Sequence, residues 1–121
     1  MPYENHWDKQ SLYRRFTGVV NGEEILLSNL ELHAEPNFQT ITSIINDFTE
    51  VTAVQIEMAH TEVYAKTDDV IANSKGKLKI ALVVDKPDLI ALATNYRELM
   101  QGKLFECEIF NNIDEAQQWV E

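Results

Sequence analysis

Apolar positions recur at two spacings along the chain, and the switching between them predicts strands alternating with helices. Over residues 12–20 the period is two: Leu12, Arg14, Phe16, Gly18 and Val20 share one face, and Tyr13, Arg15, Thr17 and Val19 the other. Gly18 inside this run suggests a bulge or a close backbone approach. A shorter strand over 6–9 lies near enough to form an antiparallel hairpin with it. Residues 42–48 contain paired β-branched residues and little charge before Asp47, as an interior strand should. Residues 79–84 are the most apolar and belong at the sheet centre; residues 105–110 make the last strand. Between the strands the spacing turns helical. Leu26, Leu27, Leu30 and Ala34 form one stripe. Ala59, Val63, Val70 and Ile71 form a second, Leu89, Leu92, Ala93, Tyr96 and Leu99 a third, and Ile113, Ala116, Trp119 and Val120 a fourth.

The breaks carry matching signals. Asn21 with Glu24, and Asn112 with Glu115, are Asn-x-x-Glu caps, and acids favour the positive end of a helix. Pro36 ends the first helix, residues 73–76 stop the second, and Pro87 opens the third. Strands alternating with helices imply parallel crossovers. The expected fold is α/β: a mixed five-stranded sheet, with an N-terminal antiparallel hairpin and a largely parallel remainder, and about four helices. With 121 residues the chain predicts one domain over 1–121, able to bury about 65–70% of its unfolded surface. The longest apolar runs, such as 80–84, are too short to span a membrane. The first residues show no basic stretch leading into an apolar core, so the expected location is cytoplasmic.

Charge and cysteine usage narrow the function classes. The formal net charge is −10, and both halves are acidic: three Lys/Arg against nine Asp/Glu in 1–60, and seven against eleven in 61–121. Nucleic-acid binding needs a cationic face and is disfavoured; the cluster Lys75, Lys77 and Lys79 reads as a solvated edge. A homodimer would need an apolar patch, for which Trp7 and Trp119 are candidate contacts. Cys107 is the only cysteine, lies between two glutamates and reads as a small core residue. Glu57 and His60 have the spacing of one metal-ligand pair, whereas a carboxylate-bridged centre needs two plus further acids. The glycines are isolated and there is no Gly-x-Ser-x-Gly elbow. No catalytic residue, metal or cofactor is assigned, and the expectation is a non-enzyme.

The order of elements resembles the STAS and SEC14-like domains, and within them the small stand-alone SpoIIAA-like bacterial proteins. The resemblance rests on Arg15-Phe16-Thr17-Gly18-Val19-Val20, Asn46-Asp47-Phe48-Thr49, Ile80-Ala81-Leu82-Val83-Val84 and the closing stretch from Phe110 through Asp114-Glu115-Ala116 to Trp119-Val120. These are packing signatures, and they imply a fold before an activity. Anti-sigma-factor antagonists of the family carry a phosphorylatable serine in an Asp-Ser-Ser-Gly segment after the third strand, where added charge blocks partner binding. With Asp47 and Val51 aligned to the family's Asp and Val, those positions become Gln55, Ile56, Glu57 and Met58. No hydroxyl remains, so the switch does not carry over. Glu57 reads as an acid near a helix start, the alternative being a permanent negative charge at the old switch, and Thr49 and Thr52 read as cap or turn residues.

Two functional readings follow. The first is a regulatory protein-interaction module whose partner surface is Asp47, Thr49, Thr52, Gln55, Glu57 and His60. The second rests on the SEC14-like branch, which holds apolar molecules beneath its helices. It implies a module for a small apolar or lipid-like ligand, with a pocket of Ile56, Met58, Val63, Leu92 and Tyr96. The sequence favours the first, because a domain this small has little spare volume.

Overall fold

The computed structural model describes residues 3–121. Its elements in chain order are β1 (Tyr3–Trp7), β2 (Ser11–Asn21), α1 (Gly22–Ala34), a 3-10 turn (Pro36–Gln39), β3 (Ser43–Gln55), α2 (Met58–Lys75), β4 (Leu78–Val83), α3 (Pro87–Leu99), β5 (Phe105–Phe110) and α4 (Ile113–Val120). The five strands form one sheet whose spatial order follows the chain, β1-β2-β3-β4-β5. β1 runs antiparallel to β2, with Tyr3 opposite Phe16 and Trp7 opposite Leu12. The other three pairings are parallel. Each crossover advances one strand in the same direction, so a common hand puts α1, α2 and α3 on one face.

That face holds the main core. Leu12, Phe16 and Val20 of β2, Ile44 of β3, Ile80 and Leu82 of β4, and Phe105 and Cys107 of β5 meet Ile25 and Leu32, Tyr64 and Ala65, and Leu89 and Ala93 from the three helices. The other face carries a smaller cluster in which Ile45, Ala81 and Val83 pack against Ala116 of α4, flanked by Phe110, Ile113 and Trp119. Lys79 Nζ sits 5.1 Å from the Trp119 ring centre and donates to the Trp119 carbonyl at 3.0 Å, tying α4 to the sheet.

Both Asn-x-x-Glu caps form. The Asn21 side chain accepts from Glu24 N–H at 2.8 Å while Glu24 returns an acceptor to Asn21 N–H at 3.2 Å. Asn112 accepts from Glu115 N–H at 2.9 Å. Gly18 has φ +71° beside shifts in the β2–β3 register, so the bulge is real and needs glycine's access to positive φ. The two bulges let β2 and β3 continue together well past the rest of the sheet. β4 pairs with β3 only from Ser43 to Asp47, whereas β2 follows β3 to Gln55. β3 is therefore longer than its apolar start predicts.

Three expected helix faces need correction. α1 buries Ile25, Ser28 and Leu32, while Leu27 and Leu30 are exposed. α2 buries Thr61, Tyr64, Ala65, Asp68 and Ala72, while Val63 and Val70 face out. In α3, Leu89, Ala93 and Tyr96 are buried as expected, but Leu99 is exposed and Met100, just past the helix, takes the inner place. β1 also begins and ends earlier than expected, at Tyr3–Trp7.

Candidate functional site: a chamber with a buried arginine

Between the sheet and its three helices lies a cavity of about 100 Å³. Most of its wall is apolar, including Phe16, Ile44, Ile80, Leu82, Leu89 and Leu92. Polar groups interrupt that wall, and each reaches it by a definite route. Arg14 occupies the inward phase of β2 between Leu12 and Phe16, so the period-two pattern sends its side chain under the helices. It is 1% exposed. Its neighbour across the parallel pairing is Asn46 of β3, which in turn neighbours Leu82 of β4. Arg14 and Asn46 thus form the polar part of one cross-sheet row.

Arg14 Nη1 donates to Asn29 Oδ1 of α1 at 2.9 Å, and Nε donates to Asn5 Oδ1 of β1 at 3.3 Å. The guanidinium also lies 5.5 Å from the Tyr3 ring centre and 5.2 Å from that of Phe16. Among the described residues, its Nη2 has no hydrogen-bond partner, and neither does Asn46 Oδ1. No carboxylate of the described residues lies within ion-pairing distance of Arg14. Burial pulls the Arg14 pKa down to about 10 against the smaller opposing effects of Tyr3, Asp68 and Glu31.

A second polar group in the wall is self-contained. Tyr96 of α3 donates its hydroxyl to Asp68 Oδ2 of α2, and His33 Nε2 of α1 lies 3.4 Å from Asp68 Oδ1. Burial and the adjacent carboxylate push the Tyr96 hydroxyl well above its ordinary pKa. The three helices are therefore linked at one point by Asp68. Nearby, Asn95 donates its side-chain amide to Thr61 at 2.6 Å, another α3–α2 bond.

Of the pocket residues read from sequence, Ile56, Leu92 and Tyr96 border the chamber. Met58 and Val63 do not: they are 48% and 44% exposed, because α2 turns its Thr61–Asp68 stripe inward instead. Of the partner-surface residues, Thr52, Gln55 and Glu57 are exposed and Thr49 and His60 are half-buried. Asp47 is not on a surface. It is 4% exposed, accepts from the Tyr13 hydroxyl, and accepts from Thr49 N–H at 2.9 Å and Thr49 Oγ1 at 2.8 Å. It holds the backbone where β3 parts from β4. His60 has a local duty too, its Nδ1 accepting from Glu57 N–H at 2.9 Å at the start of α2. Gln55, Ile56, Glu57 and Met58 run from the last residue of β3 to the first of α2.

Sequence reading missed Arg14, Asn29, Asn46 and Asp68. One signal was available: Arg14 shares a strand face with Leu12 and Phe16, a charged residue in an otherwise apolar phase. Cys107 is buried as expected, and burial pushes its thiol pKa up to about 12. Among the described residues no helix is long and apolar enough to cross a membrane.

No family model and no curated protein matches the chain. Solved structures do. One is the anti-sigma factor antagonist SpoIIAA in its unphosphorylated form, with a TM-score of 0.58, 10% identity, and coverage of 96% of this chain and 94% of that one. Another is an uncharacterised DUF3478-family protein from Shewanella loihica PV-4, described as having a SpoIIAA-like fold. Its TM-score is 0.51 at 15% identity, over 98% of this chain and 92% of that one. With the mixed sheet, the antiparallel first pair and the four helices, these matches show that the chain has the SpoIIAA-like fold.

Proposed function

We propose that this chain is a non-catalytic binding module of the regulatory kind, and that its chamber takes a small, mostly apolar molecule. The fold, shared with an anti-sigma factor antagonist, supports a regulatory or protein-interaction role. The observation that carries the ligand reading is the chamber itself, an apolar space of about 100 Å³ beneath three helices. A dry apolar cavity of roughly 150 Å³ is known to accept benzene, so this one suits a ring or chain of about that size or smaller. The test is titration of the methyl-labelled protein with propan-1-ol through pentan-1-ol, followed by NMR. Saturable shifts confined to Ile44, Ile56, Ile80, Leu82 and Leu92 support the reading. Shifts scattered over the surface, or none, overturn it.

A second reading, a docked protein partner, draws on the edge of β3. From Glu50 to Gln55 this strand has β2 on one side and no pairing with β4 on the other. A free edge is a template for an added strand, and it adjoins the exposed Thr52, Gln55 and Glu57. Thr52→Pro should abolish such a complex while leaving alcohol binding unchanged. A complex that persists in this variant would exclude strand addition there.

A further inference from the structure

The ligand reading leaves open what the chamber's polar end recognises. Arg14 is a cation buried among Leu12, Phe16 and the helices, yet its Nη2 has no acceptor among the described residues. Such a group is costly unless it is paired. The remaining guanidinium bonds go to neutral amides, Asn29 and Asn5, which orient it without balancing its charge. Asp68 and Glu31 act on Arg14 only at longer range: Asp68 is engaged by Tyr96 and His33, Glu31 accepts from the Tyr3 hydroxyl, and neither makes an ion pair with Arg14. Asn46, the half-buried cross-strand neighbour, adds a buried amide oxygen that also lacks a partner among the described residues.

We infer that the chamber's ligand is a small apolar carboxylate whose head group sits at the Arg14–Asn46 row and whose tail lies against Leu89, Leu92 and Ile56. This deepens the ligand reading above and rests on it. A carboxylate accepts from Nη2 and supplies a counter-charge in direct contact, through a charge-assisted bond. A hydroxyl or amide N–H on the ligand's α-carbon would suit the vacant acceptor of Asn46. Among the described residues Arg14 is the one permanently charged cation in the chamber wall, so the head group sits there. An alcohol of the same chain length fills the same apolar space and forgoes the charge pairing.

The experiment compares propanoate through pentanoate with the matched primary alcohols at neutral pH, by NMR titration of the wild-type protein and of Arg14→Met. In the wild type the carboxylate is expected to bind about tenfold or more tighter than its alcohol. In Arg14→Met that ratio should fall to about one, with alcohol affinity retained. If alcohol and carboxylate bind alike in the wild type, the carboxylate inference is overturned and the ligand reading stands. If neither perturbs the chamber signals, both are overturned. The wild-type comparison decides the matter even where Arg14→Met fails to fold. Asn46→Leu gives a further check: it should weaken 2-hydroxy acids more than simple carboxylates, and an equal loss for both would remove Asn46 from the proposed head-group site.

Discussion

Replacing Gly22 with alanine tests a close approach between α1 and α2. Gly22 opens α1 with its Cα against the His60 ring, and an added Cβ would fall 2.4 Å from Cδ2 and 2.5 Å from Cγ and Nε2. Ordinary contact begins at 3.4 Å, so the ring would have to retreat by about 1 Å. It has little freedom to do so. His60 Nδ1 is held by Glu57 N–H at 2.9 Å, and the ring stacks on Tyr64 with centroids 6.4 Å apart. Tyr64 in turn donates its hydroxyl to the Gly22 carbonyl at 2.7 Å, closing a loop between α1 and α2. Overpacking of this kind costs about 1–3 kcal/mol. Against it stands a gain of up to about 1 kcal/mol for alanine over glycine in a helix. Gly22→Ala is therefore expected to destabilise by about 1–2 kcal/mol in the wild type. In a His60→Ala background, where the ring is gone, the same change should become neutral or stabilising. Urea unfolding followed by Trp7 and Trp119 fluorescence measures all four corners of the cycle. An equal cost in both backgrounds would refute the steric account.

Two further outcomes follow from buried groups. Cys107 has an ordinary thiol pKa of 9.0, raised to about 12 in the folded chain chiefly by burial. The unfolded chain thus ionises first, so this thiol's contribution is intact below pH 9 and declines by about 1.4 kcal/mol per pH unit from about 9 to about 12. Cys107→Ala should flatten the alkaline fall in unfolding free energy by one proton's worth, and an unchanged slope would contradict this. Tyr96→Phe keeps the ring but removes the donor to Asp68, leaving that buried carboxylate with His33 alone. A loss of about 1–3 kcal/mol is expected in thermal or urea unfolding; a variant as stable as the wild type would mean that the contact contributes nothing.

The strands were legible because their alternation is driven by burial on one face or both, and β-branched residues mark them without help from distant contacts. The caps were legible because Asn21 and Asn112 act on their own helices within three residues. Helix faces were harder to read. α1 and α2 turn Ser28, Thr61 and Asp68 inward and leave Leu30 and Val70 outside, where with Ile71 they border a shallow groove between the two helices. An apolar stripe picks the buried face only when the buried face is apolar; here Thr61 and Asp68 carry hydrogen bonds that join α2 to α3, while Ser28 returns its hydroxyl to the Ile25 carbonyl within α1. The same cause hid the chamber. Arg14 reads as a surface residue by type, and only its phase between Leu12 and Phe16 betrays its position. Asp47 was misread for a related reason: its partners, Tyr13 and Thr49, come from a cross-strand neighbour and a local turn that residue type alone does not reveal.

The colinear order of the sheet bears on how the chain is born. Every strand pairs with the one made just before it, so no segment waits for a distant successor. Each step closes one strand–helix–strand unit on a template already present, which keeps the entropy of each closure small. A chain leaving the ribosome can add β3 to the β1–β2 hairpin, then β4, then β5, as each emerges. Of the described elements α4 comes last in the chain, and its Ala116 and Trp119 cover Ile45, Ala81 and Val83 on the opposite face. Until α4 docks, Ile45, Ala81 and Val83 stay open to solvent and to other chains.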